Sequence, residues 1–84
     1  MKLIYNEFYY TSNDYEYIMI FKKIERYAAN YFYLLNVTTD ELFIESSCDT
    51  DDWILATPEQ KQLLIDRVEK ETGEKFNFET KIFE

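Results

Sequence analysis

The side chains of this sequence that bear on chemistry are carboxylates, and they are concentrated. Asp40, Glu41, Glu45, Asp49, Asp51, Asp52 and Glu59 fall within residues 40–59 with no basic residue among them, whereas residues 1–39 set four acids against four bases. Carboxylates at such spacing have three chemical uses: cation binding, acid/base catalysis and docking to positive charge. A calcium loop fits poorly. It needs a third oxygen ligand at the fifth position, a glycine at the sixth and a glutamate at the twelfth, and counting from Asp49 places Trp53 and Ile54 at the fifth and sixth. The chain has no histidine and one cysteine, so transition-metal and thiolate sites are not expected either. Catalysis by a carboxylate requires a pocket that raises its pKa, and so short a chain has little interior to spare. Cys48 stands beside Asp49; a neighbouring anion raises a thiol pKa and makes the thiolate scarce. A small, partly buried hydrophobe is the expected role. With one glycine, Gly73, there is no loop to cradle phosphate. Neither a cofactor nor an enzymatic activity is expected.

Docking remains. An acidic run without local cations repels itself until a partner supplies positive charge. It reads either as a surface for a Lys/Arg-rich protein groove or as a solvated segment that keeps the chain soluble. The net charge of −8 argues against direct binding of nucleic acid.

The elements that position these groups belong to a chain of 84 residues, 46% apolar and 19% aromatic, which is too rich in rings for a disordered segment and too short for two cores. One domain, 1–84, is expected. No stretch of 18 apolar residues occurs, and the first ten residues lack a signal peptide's apolar run. Export and membrane spanning are therefore not expected, and a cytoplasmic location is.

Residues 3–10 and 15–24 are rich in β-formers and flank the polar stretch 11–14, which reads as a hairpin. Within the second run, apolar residues at 18, 19, 20 and 21 face both ways, the pattern of a central strand. Residues 31–38 and 42–45 read as two further strands around a turn at 39–41, and 25–30 carries no decisive signal. Thr57, Pro58 and Gln60 form a capping-box pattern that starts a helix over 58–72, and Gly73 ends it. Leu64, Ile65 and Val68 line its apolar stripe, with Leu63 at the edge. Residues 75–83 alternate, so a last strand is expected with Phe76, Phe78, Thr80 and Ile82 on its buried side. The fold class is α+β: a mainly antiparallel sheet of four to five strands with one helix packed on it.

All eight tyrosines lie in the first 33 residues. Most should pack on the sheet, yet a sheet this small cannot bury them all, and a surplus would make a patch for a partner or for a homodimer. Tyr9, Tyr10, Tyr15 and Tyr27 are the candidates, because they stand near turns.

The run WILATPEQKQLL from Trp53, followed by Gly73 and by FNFETKI from Phe76, resembles a carboxy-terminal module of small phage and mobile-element proteins. Its usual form is ATPEEKxxL, a helix, a glycine and an aromatic-rich strand containing ExK. The likeness covers residues 53–83 and departs from the pattern at Gln60 and Phe76. In size, acidity and aromatic content the chain is also similar to anti-CRISPR proteins. That resemblance implies an inhibitor of a nucleic-acid-handling immune effector, with an RNA-guided, RNA-targeting CRISPR nuclease among the expected partners. The contact residues would be Asp40, Glu41, Glu45, Asp49, Asp51 and Asp52, with Tyr9, Tyr10, Tyr15 and Tyr27. The alternative is a non-enzymatic interaction or homodimerisation module.

Overall fold

Three consecutive residues, Ile18, Met19 and Ile20, organise the structure, a computed structural model that describes residues 4–12, 14–24, 29–45 and 52–84, with backbone alone at 22–24, 29–32 and 45. Successive side chains of a strand point to opposite faces, so burying all three requires cover on both faces of the sheet. They lie on β2 (Glu16–Ile24), which pairs antiparallel with β1 (Phe8–Ser12) on one side and with β3 (Ala29–Asn36) on the other. β4 (Glu41–Glu45) pairs with β3, and the short β5 (Ile54–Leu55) pairs with β1. The spatial order is β4-β3-β2-β1-β5. β2 is therefore central, as its two-sided apolar pattern requires. Thr11 and Ser12, expected in the first turn, instead continue β1 to the pair Ser12↔Glu16.

One face is covered by α1 (Pro58–Thr72). Thr57 begins this helix with both halves of a capping box: the Gln60 N–H donates to Thr57 Oγ1 at 3.2 Å, and the Thr57 N–H donates to Gln60 Oε1 at 2.8 Å. Such a cap stabilises a helix by about 1 kcal/mol. Gly73 ends it at φ 75°, a left-handed conformation that costs a side chain strain, with its N–H donating to the Glu69 carbonyl. Leu64, Ile65 and Val68 are buried against Phe8, Ile18, Ile20 and Leu35 of the sheet. Leu63, at the edge of the stripe, stays exposed.

Residues 75–83 depart from the single strand expected. They fold as a two-stranded hairpin, β6 (Phe76–Asn77) and β7 (Ile82–Phe83), paired Phe76↔Phe83. The cause is local. Asn77 Oδ1 accepts from the N–H groups of Glu79 and Thr80 at 2.9 and 3.2 Å, a side-chain turn that reverses the chain, and Lys81 closes it at φ 60°. The buried side is consequently Phe76 and Phe83, packed on the core. Phe78 is 67% exposed, and Thr80 and Ile82 also face solvent.

The opposite sheet face has its own cluster, Tyr9, Met19 and Trp53, with Tyr17, Phe21 and Leu34 packed around it. Trp53, the residue before β5, covers the centre of this face.

Leu64→Ala should cost about 2 to 5 kcal/mol, since it opens a cavity between helix and sheet. Phe78→Ala should cost less than about 1.5 kcal/mol, the worth of its edge-to-face contact with Phe76. Urea unfolding of both variants checks the order; equal losses would mean that Phe78 is packed as a core residue.

Candidate functional site

The antiparallel register brings acids from three separate stretches to one end of the sheet. The pair Tyr17↔Asn36 places the start of β2 beside the end of β3, so the β1–β2 and β3–β4 connections share that end. Asp14 arrives on the first connection and Glu16 at the start of β2, Asp40 on the second connection and Glu41 at the start of β4. Asp52 joins them from before β5, where its carbonyl accepts from Thr11 Oγ1 at 3.1 Å. All five acids are exposed.

Local bonds hold this rim in shape. The Glu16 N–H donates to Thr38 Oγ1 at 3.1 Å, and the Val37 N–H donates to the Glu16 carbonyl at 2.8 Å, which ties the two connections together. The buried Asn36 side chain accepts from the Thr39 N–H and shapes the second turn, in which Asp40 adopts φ 59°. Asp40 is bridged. Arg67 of the helix donates to its Oδ1 at 2.7 Å and to its carbonyl at 2.9 Å, while its Nε meets Glu71 at 3.0 Å. No other ion pair among the described residues involves the rim. At the other end of the sheet, by contrast, Glu7 lies between Lys61 at 3.6 Å and Lys81 at 3.9 Å. Among the described residues, Glu7 at that end is thus paired with cations, whereas four of the five acids at the rim are not.

The expected contact residues divide accordingly. Asp40, Glu41 and Asp52 reach the rim. Glu45 is at the far end of β4, opposite Phe32. Asp49, Asp51 and Tyr27, like Cys48, lie outside the described residues. Tyr9 is corrected: it is 1% exposed, packed with Met19 and Trp53, and its hydroxyl accepts from the Ile4 N–H at 2.9 Å. A buried ring makes no surface patch. Its place in the alternation of β1, two residues from Thr11, sets it with Met19 and Trp53 on the buried face despite the nearby turn. Tyr10 is half-buried on the helix side and its hydroxyl donates to Glu16 Oε1 at 2.9 Å, so its tip reaches the rim. Tyr15 is exposed there, edge-on to Tyr17 with ring centroids 6.2 Å apart. Asp14 and Glu16 are the rim residues that sequence reasoning missed. They fall in a stretch of balanced charge, and only the pairing of β2 with β3 brings them beside Asp40.

The arrangement suits a broad contact better than a point ligand. Among the described residues no group of three or more acidic, histidine or cysteine side chains is gathered to hold a metal ion. A groove of about 260 Å³ lies between α1 and the second turn, lined by Leu35, Val37, Leu63 and the charged residues Asp40, Asp66, Arg67 and Lys70. None of the described helices is long and apolar enough to cross a membrane. Compared with protein-family models, curated proteins and solved structures, the chain matches none.

One titratable group away from the rim is perturbed. The Tyr33 hydroxyl donates to Glu74 Oε1 at 3.0 Å, and its pKa is raised above the usual 10.0 by burial first, then by that bond and by the Glu74 charge. The folded chain therefore holds this proton more tightly than the unfolded chain. The stabilisation is complete below the unfolded pKa and is lost as pH rises through the folded one. Tyr33→Phe should cost roughly 0.5 to 1.5 kcal/mol at neutral pH, and its deficit against the parent should close or reverse above about pH 10. Denaturant titrations at neutral and alkaline pH test this; a constant deficit would show that the Tyr33–Glu74 bond contributes nothing.

Proposed function

We propose that the chain is a non-enzymatic inhibitor that docks through its acidic rim on the basic groove of a nucleic-acid-handling protein. The observation that carries this reading is the convergence of Asp14, Glu16, Asp40, Glu41 and Asp52 at one end of the sheet, with Arg67 their one basic partner among the described residues. Exposed like charges set side by side present to a cationic groove the potential that a phosphate backbone presents, and such complementarity steers association. Tyr10 and Tyr15 add rings with polar tips of the kind enriched at interfaces. The similarity in character to anti-CRISPR proteins makes an RNA-guided effector, RNA-targeting nucleases included, the first target to assay, with the host-cell cytoplasm as the place of action.

The test is cleavage by purified RNA-guided nucleases in the presence of the parent chain and of Asp14→Lys/Glu16→Lys/Asp52→Lys. The triple change moves the net charge from −8 to −2 and removes no buried side chain. Folding should persist, and inhibition should weaken at least tenfold, chiefly through slower association at low salt. A variant that inhibits as well as the parent at physiological salt would rule out the rim as the docking surface.

A further inference from the structure

β4 is an open edge. Among the described residues no strand pairs with its outer side, and at five residues it is longer than β5 at the other edge, which has two. Unpaired strand edges are templates for further pairing. Which of its groups are free follows from the register. The bond from the Val37 N–H to the Glu16 carbonyl marks 16 and 37 as a hydrogen-bonded pair, and bonded pairs alternate along an antiparallel ladder. The pairs Ile18↔Leu35 and Ile20↔Tyr33 are then bonded as well, so Leu34 and Asn36 turn their backbone groups toward β4, to Phe43 and Glu41. Leu42 and Ile44 are left with N–H and C=O groups directed outward. The side chains at this edge are apolar in the middle: Phe43 is 37% and Ile44 63% exposed.

The charges at the strand's ends select the occupant. In the fullest antiparallel pairing of two β4 strands, Leu42 would bond Ile44 of the second copy, Phe43 would oppose Phe43, and Glu41 would oppose Glu45 twice over. These are non-bonded pairs, in which side chains come closest and like charges destabilise. A second copy is disfavoured. A strand with Lys or Arg opposite Glu41 and Glu45 and an apolar residue opposite Phe43 reverses the sign of both end contacts. We infer that β4 captures, by strand addition, an extended segment of a partner protein in which basic residues stand two positions either side of an apolar one. This rests on the docking reading and names the main-chain contact through which a basic partner would be held.

The test uses two capped peptides, TKTVTKT and TETVTET, titrated into the isotope-labelled full chain and followed by backbone amide NMR. The basic peptide should shift the Leu42 and Ile44 amides most and slow their hydrogen exchange, with at least tenfold weaker binding of the acidic one. Ile44→Pro removes an outward N–H without breaking a bond to β3 and should abolish saturable binding. Glu41→Lys/Glu45→Lys, which leaves the backbone alone, should invert the preference between peptides. Equal binding of both peptides, binding that survives Ile44→Pro, or a concentration-dependent dimer abolished by Ile44→Pro would overturn the inference, the last in favour of a second copy. The readout is independent of nuclease inhibition: peptide uptake by a chain that inhibits nothing sustains the edge and sinks the effector target, and inhibition without peptide uptake does the reverse.

Discussion

Everything in this structure follows from a strand whose centre is buried on both faces. Ile18, Met19 and Ile20 are consecutive and essentially inaccessible, and burying side chains of this size stabilises by about 1.5 to 3 kcal/mol each. Because they alternate in direction, that gain requires neighbours on both edges of β2 and cover on both faces. Among the described residues of this chain of 84 there is one helix, and it covers Ile18 and Ile20. The face of Met19 is covered by rings instead, Tyr9 and Trp53 with Tyr17 and Phe21 beside them. The heavy aromatic content is thus a packing solution: a single aromatic ring buries a large apolar area while ordering one residue.

Features with a local cause were legible in the sequence. The capping box at Thr57 and Gln60 and the cap at Gly73 are set by backbone groups within a few residues, and the two-sided pattern of β2 is set by alternation alone. Where pairing decided, the sequence was silent. Residues 75–83 alternate as a single strand would, but the hairpin shifts the phase by one residue across its turn, so that Phe76 and Phe83 face the core in place of Phe76 and Ile82; the deciding turn is built from the Asn77 side chain and Lys81 at positive φ, without the glycine that usually marks such a reversal. Alternation alone therefore puts Phe78 on the buried side, whereas it lies in the turn.

The acidic end had the same partial legibility. The run from Asp40 onward stands out in sequence, but its neighbours in space do not. Asp14 and Glu16 join it because β2 and β3 pair in a register that sets Tyr17 against Asn36, a long-range fact that composition does not encode. Tyr9 erred in the opposite direction. The nearby turn suggests exposure, whereas Trp53, which follows a charged stretch, covers the ring.

Core and charge are therefore placed so that neither compromises the other. The rim acids sit beyond the last buried layer, at the ends of strands, where their mutual repulsion acts largely through water. Between members one to two strands apart, about 5 to 10 Å, that repulsion is roughly 0.4 to 0.8 kcal/mol per pair in bulk solvent, and it is weaker between Asp52 and Glu41, which stand at opposite edges of the sheet. A marginally stable domain tolerates a few such terms. One cation, Arg67, is fixed against Asp40 from the helix and pins the second turn, yet it neutralises a single member of the group and is itself shared with Glu71. The remaining repulsion is small enough for the fold to carry alone. It is also relieved by any surface that brings positive charge, and that relief adds to whatever attraction the contact itself provides.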